Sequence, residues 1–272
     1  MRSFLFVVLL AAAVSAGACL SQQAEGQKSP TPESAQPIQG KRQPVLVELF
    51  TSEGCSSCPP ADRNLKFLAE QQPVAGVEIV PLAFHVDYWD NNSWKDQFSS
   101  ALYTRRQEAY VQRFGLDSSY TPEMVVDGRS EFVGSDTGRS VKVIGDAVSD
   151  EKGNITASLD GEMINVSIDG LPKHNAATVF LAVTESGVIS NVNGGENSGV
   201  TLNHSAIVRS LTALGVVDKD AAKFEAKGSV PAFSDTKATG RNIVLFVQDN
   251  NDRRILAVAK LAARPANSTA TN

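Results

Sequence analysis

Cysteine and histidine are both scarce, with three of each in 272 residues. Three cysteines cannot make a disulfide scaffold, and three histidines leave little material for a multi-histidine metal centre. Basic residues do not dominate: 25 Lys and Arg stand against 30 Asp and Glu, giving a formal net charge of -5. No dense Lys/Arg block occurs anywhere. Because nucleic-acid binding is driven by phosphate neutralisation, nucleic acid is not an expected partner. Beyond the N-terminus no apolar run reaches the ~18 residues that a membrane-crossing helix needs, which excludes a polytopic membrane protein. Glycine (20) and proline (12) are too few for a collagen-like or wholly disordered chain. What is there is ordinary globular composition, 42% hydrophobic and 20% charged, over a length that suggests one or two domains.

The ends of the chain differ from its middle. Arg2, the apolar stretch Phe4 to Val14 and the small residues Ala16-Gly17-Ala18 read as an export signal over residues 1–18. The stretch is too short for an anchor, since eleven residues span only about 17 Å of a hydrocarbon core about 30 Å thick. Cys19 follows directly, where a bacterial lipoprotein carries its lipidated cysteine, although Ala16 stands where that pattern usually has leucine. Cys19 is therefore either lipidated or an incidental thiol. The product is expected outside the cytoplasm, in the periplasm or cell envelope, touching membrane only through such an anchor. Residues 19–43 are rich in Gln, Pro, Ser and Glu and read as a disordered tether, because they cannot bury enough apolar surface to offset their ordering entropy. Residues 264–272 read as a similar tail.

The chemistry gathers around Cys55-Ser56-Ser57-Cys58-Pro59-Pro60. An apolar run, Val45 to Phe50, has the look of a buried strand; a helical pattern carries Ala61, Leu65, Leu68 and Ala69 on one face; Val77 to Phe84 supplies a second strand. The prolines suit a first helical turn, whose amides have no intrahelical partner. A dithiol at a helix N-terminus has a chemical consequence: exposed amides and the positive end of the dipole favour thiolate over thiol. Cys55 is then the attacking thiolate and Cys58, one turn inside, the less accessible resolving thiol. A structural disulfide closing four residues gains little, about 2 kcal/mol in the loop-entropy model. A zinc half-site lacks a second CxxC or an HxxxH. His85, at the end of the second strand, either is a hydrogen-bonded residue holding the segment that follows or completes a copper(I) site with Cys55 and Cys58, thiolates being soft ligands. No Gly-rich phosphate loop or dinucleotide fingerprint calls for a cofactor.

Tyr120-Thr121-Pro122 leads into a short strand ending at an Asp127-Gly128 hairpin, with Arg129 to Val133 returning and Val141, Ile144 and Val148 marking a final helix. Together with FHVDYWD (Phe84 to Asp90) and RRQEAY (Arg105 to Tyr110), the CxxC and YTP motifs resemble a family of secreted bacterial thioredoxin-like proteins of unassigned function. The resemblance implies an α/β thioredoxin-like domain over residues 44–150. Cys58 and Pro122 are 64 positions apart, longer than in a minimal thioredoxin, which leaves a helical insert at about 87–117 in which Phe98, Leu102 and Ala109 share a face. The resemblance also implies a cis-proline at Pro122 facing the dithiol, with Thr121 and Tyr120 offering backbone to a bound substrate. Glu48, seven residues before Cys55, stands near where thioredoxin keeps a buried acid that moves protons to the resolving cysteine; the other reading has it pointing outward. Trp89, Tyr88 and Trp94 read as packing for the insert.

From Asn154 the pattern alternates, with strands expected at 177–184, 205–212, 223–228, 242–248 and 254–261, so residues 151–263 read as an all-β sandwich-like domain. In the Gly- and Asn-rich loop before His204, Glu196, Asn197 and His204 form either a binding loop or structural contacts to the first domain. The activity expected is thiol–disulfide exchange by an exported oxidoreductase, with protein or small-molecule thiols and disulfides as partners. Its direction is open, because Ser56-Ser57 matches neither typical reductants nor strong oxidants. The alternative is a non-enzymatic binding module or a copper(I) carrier.

Overall fold

The computed structural model describes residues 42–231 and 238–262. The export segment, Cys19, the tail and all of the tether except its last two residues lie outside them. The first strand, β1 (Gln43–Thr51), already includes Gln43. It is followed by α1 (Pro59–Gln71), β2 (Val77–His85), α2 (Ala101–Phe114), β3 (Glu123–Val126), β4 (Ser130–Val133) and α3 (Thr137–Asp146). After a short 3-10 turn the chain is all strand: β5 (Asn154–Asp160), β6 (Met163–Asp169), β7 (Ala177–Ser186), β8 (Val188–Asn191), β9 (Thr201–His204), β10 (Ile207–Val217), β11 (Lys223–Ser229), β12 (Gly240–Asp249) and β13 (Ile255–Ala262).

Local signals explain most of these elements. Pro59 and Pro60 open α1 after Cys58, and the left-handed Gln72 (φ 47°) ends it while its side-chain amide donates to the Leu68, Ala69 and Ile79 carbonyls. Ser100 caps α2 by accepting from the Leu102 amide, and Gly115 closes it at φ 67°. Asp127 and Gly128 both have positive φ (49° and 66°), the requirement of the tight turn joining β3 to β4.

The pairing of strands overturns the expected fold class. Eight strands form one mixed sheet in the order β13-β12-β7-β10-β2-β1-β3-β4, so strands from both sides of residue 150 share it. The joint is β10 against β2, parallel, with Ile207 opposite Ala83 and the Ala83 amide donating to the Ala206 carbonyl at 2.8 Å. An α/β thioredoxin-like domain followed by a separate all-β sandwich is therefore not what this chain builds. It builds a mostly β structure, with thirteen strands and three α-helices among the described residues. The physical reason is edge satisfaction: an apolar β2 edge left open exposes unpaired backbone, and β10 covers it. Alternation along a sequence reports which residues face inward, not which strand lies alongside.

Three apolar clusters hold the layers. On one face of the sheet, α1 and α3 cover Val45, Val47, Leu49 and Ile79. Farther along, the small sheet β11-β6-β5 lays Ile155, Ile164 and Ile168 over Val179, Leu181, Leu245 and Leu256. The opposite face carries α2, whose Tyr103 and Tyr110 pack on Phe50, Phe84, Val208 and Phe246. The segment expected as a helical insert holds one helix, and its buried face is Tyr103, Gln107 and Tyr110 rather than Phe98, Leu102 and Ala109. Leu102 is exposed, and Phe98 is buried ahead of the helix. The helical period was legible there, but the inward face is polar-aromatic and was invisible to a search for aliphatic stripes.

Candidate functional site

β1 delivers the chain to Thr51 at the sheet edge, and Ser52 to Ser57 turn it into α1. The Cys55 amide donates to the Ser52 carbonyl (3.3 Å) and the Cys58 amide to the Cys55 carbonyl (3.1 Å), bringing the two cysteines to a Cα separation of 5.4 Å. They form a disulfide. The segment 120–122 lies against it. The Thr121-Pro122 bond is cis, and the Thr121 hydroxyl donates to Cys55 Sγ at 3.3 Å while accepting from the Trp89 indole at 2.8 Å. Ser57 Oγ is 3.3 Å from the same sulfur and donates to the Thr121 carbonyl at 3.4 Å. Ser56 and Ser57 are exposed, but both cysteines are fully covered, at 0% exposure. The thiol expected to be reachable is thus shielded in the disulfide form.

A buried polar network starts at Glu53, two residues before Cys55. Glu53 accepts from Trp94 Nε1 (3.2 Å), stands 3.1 Å from His204 Nε2, and its amide donates to Asp96 (2.8 Å). Asp96 is paired with His85 Nδ1 at 2.7 Å. Burial disfavours the imidazolium of His85, but the carboxylates of Asp96, Asp62 and Glu53 together outweigh it and raise the His85 pKa. Burial likewise opposes the Asp96 charge, yet His85 holds its carboxyl below the ordinary range. Asp62 completes the group. It lies one turn along α1 from Cys58, hence on the same helix face, and accepts from the Thr51 hydroxyl at 2.8 Å. Burial pushes its pKa up, and the fields of His85 and His204 only partly offset this. A groove of about 640 Å³ between α1 and β9 opens onto Asp62 and His204, beside Pro59.

Residues 46–248 match a protein family described as "Protein of unknown function (DUF1223)". The chain belongs to that family. Among solved structures, it is similar to the crystal structure of a structural-genomics target from Agrobacterium tumefaciens, with a TM-score of 0.67 and 23% identity, over 84% of this chain and 98% of that one. That likeness is one of fold. A Pseudomonas fluorescens alkylpurine DNA glycosylase bound to DNA also aligns, at 15% identity and a TM-score of 0.24, over 47% of this chain and 34% of that one; so low a score carries no argument. No curated protein matches the sequence.

In this DUF1223 protein the sequence-named residues divide sharply. Cys55, Cys58, Thr121 and Pro122 come together. Tyr120 adjoins them, its carbonyl accepting from Gln107 Nε2 (2.7 Å) and its hydroxyl donating to Glu131. Glu48 does not join them. Leu49 and Thr51 face α1, so strand alternation turns Glu48 to the other side of the sheet. There it accepts from Arg106 Nε and the Tyr110 hydroxyl, both at 2.5 Å. Arg106 is itself enclosed by the rings of Phe84, Tyr110, Phe180 and Phe246. His85 is the hydrogen-bonded residue that holds the 87–117 segment, through Asp96 and through its carbonyl to the Ser100 amide at 3.1 Å. It does not converge with the sulfurs as a ligand set, and no metal-holding group of three or more His, Cys, Asp or Glu occurs among the described residues. Trp89 packs against the core on the α2 side and donates to Thr121, while Trp94 donates to Glu53.

The loop before β9 makes the structural contacts. Asn197 donates to the carbonyls of Glu53 (2.9 Å) and Cys55 (2.8 Å), and Glu196 accepts from the amide (3.1 Å) and hydroxyl (2.7 Å) of Ser56. Sequence reasoning passed over Asp62, Glu53 and Asp96. Asp62 had a signal, its place four residues after Cys58 on the same helix; the other two had none, because only tertiary contacts bring them to the site.

Proposed function

We propose that the protein is an exported thiol–disulfide oxidoreductase of the cell envelope, acting on protein or small-molecule thiols and disulfides. The observation that carries this reading is the contact of Cys55 Sγ with the Thr121 hydroxyl, at a CxxC disulfide where α1 begins. A sulfur there meets the positive end of a helix dipole and a hydroxyl donor, both of which favour its thiolate.

The step balances without a cofactor. A substrate thiolate attacks Cys55 Sγ, the Cys55–Cys58 bond breaks, and Cys58 leaves as a thiolate. Asp62, one turn from Cys58 and raised in pKa by burial, supplies the proton that converts this thiolate to a thiol. A second substrate thiolate displaces Cys55 from the mixed disulfide, so two substrate thiols become one disulfide while the protein becomes a dithiol. The reverse sequence reduces a substrate disulfide, with Asp62 taking the Cys58 proton. The potential of the partner couple sets the direction.

Turnover of an exposed-disulfide substrate tests the reading. Cys55→Ser abolishes exchange, and Cys58→Ser accumulates a mixed disulfide through Cys55, detected as a covalent adduct by mass. Full turnover by the Cys55→Ser protein overturns the proposal.

A further inference from the structure

The exposed rim of the disulfide is not made by the CxxC segment alone. β8 and β9 form a two-stranded hairpin whose tip, residues 192–200, reaches the redox segment from about 140 positions away in sequence. The tip is closed at its base by the Val192 amide to the Val200 carbonyl (3.0 Å) and the Gly199 amide to the Val192 carbonyl (2.8 Å). It is seated closely: a Cβ on Gly194 would fall 2.0 Å from the Ser93 carbonyl oxygen, and the Gly54 Cα lies 3.8 Å from where a Cβ on Gly195 would be. Asn197 is the buried anchor, binding the carbonyls of Glu53 and Cys55. Glu196 is the exposed lip, clasping the amide and hydroxyl of Ser56, the residue next to the covered Cys55. Those two bonds also hold the Glu196 carboxyl below its ordinary pKa, so it stays ionised through the neutral range.

We infer that Glu196 is the specificity-determining residue of this site, closing the hairpin tip over the rim of the disulfide and discriminating by charge among the thiols that attack Cys55. The inference rests on the exchange reading above. An attacking thiolate must approach Cys55 Sγ in line with the bond it breaks, and the exposed Ser56 beside Cys55 carries the Glu196 carboxylate, so its charge acts on the approaching thiol at close range. A fixed negative charge at that point repels a thiol bearing a second anionic group and attracts one bearing a cation. The substrate class favoured is a neutral or cationic thiol, or a cysteine flanked by basic residues.

The test is reduction of the native disulfide in the full chain by three small thiols of similar size: cysteamine, 2-mercaptoethanol and 2-mercaptoethanesulfonate. Rate constants are corrected for each thiol's ionisation. In the wild type at low salt, cysteamine outpaces the sulfonate. Glu196→Gln keeps an acceptor for Ser56 and removes the charge, so it lowers the cysteamine-to-sulfonate ratio about tenfold, the effect of one unit charge on probes differing by two charges at about 6 Å in water. The difference between the two proteins collapses in 1 M salt, where the screening length is about 3 Å; a purely structural role would not respond to salt in this way. Glu196→Ala also removes the clasp and speeds reduction by the neutral thiol. An unchanged ratio in Glu196→Gln, with reduction proceeding normally, overturns the role of Glu196 and leaves the exchange reading intact. Failure of all three thiols to reduce either the wild type or Glu196→Ala defeats both.

Discussion

Glu123 follows Pro122 directly, at the start of β3, and is completely buried. One carboxylate oxygen accepts from Gln107 Nε2 at 2.7 Å; the other, Oε1, has no hydrogen-bond partner. Burial therefore pushes its pKa up to about 7, only partly offset by Gln107. An acid whose folded pKa lies above its unfolded value binds more protons folded than unfolded. Its contribution is greatest below the unfolded pKa near 4.5 and is lost as pH rises towards about 7. At about 1.4 kcal/mol per pH unit, the carboxyl costs the fold about 3 kcal/mol above neutrality relative to pH 4. Glu123→Gln keeps an acceptor for Gln107 and cannot ionise. Urea unfolding of both proteins at pH 4.5 and pH 8.5 isolates the effect, because every other titrating group is common to the pair. The variant is expected to gain about 3 kcal/mol on the wild type between the two pH values, or roughly 6–12 °C in Tm at the higher pH for a domain of this size. An equal stability difference at both pH values would refute the argument that this carboxyl is held neutral by burial.

Two further predictions follow from the same physics. Asp62→Asn leaves the fold at least as stable at pH 8, since a carboxyl raised in pKa by burial is removed, while resolution of the mixed disulfide slows by about a hundredfold, the low end of general acid–base effects; stopped-flow measurement of the Cys58 step shows it, and an unaffected rate removes Asp62 from the mechanism. Lys152→Met strands the Asp127 carboxylate, which pairs with Lys152 at 2.6 Å behind the β3–β4 turn with both side chains 1% exposed, and is expected to cost about 3–5 kcal/mol in urea unfolding.

Much of the disulfide segment was legible in the amino acids because its signals are local. A proline pair after Cys58, a turn-rich tetrapeptide after an apolar run and a Thr-Pro pair are each read within a few residues. The DG turn at Asp127-Gly128 and the later strands other than β8 and β9 were legible for the same reason. The place of Glu48 was left open between two readings, because its distance from Cys55 in sequence says nothing about which side of β1 it leaves. The alternation of Leu49 and Thr51 towards α1 decides that, and Glu48 becomes the counter-ion of a ring-enclosed arginine.

The sequence by itself determined the chemistry available: two sulfurs three residues apart at the start of a helix, and a cis-capable Thr-Pro pair. Tertiary structure alone decided that β10 would close on β2, that Glu53 and Asp96 would share one buried network with His85 and His204, and that Glu196 would clasp Ser56 at the rim of the disulfide. The reason is range. Turns, caps and periodicity are fixed by neighbours along the chain. Edge pairing and buried charge networks are fixed by which distant groups satisfy one another's hydrogen bonds once water has been expelled.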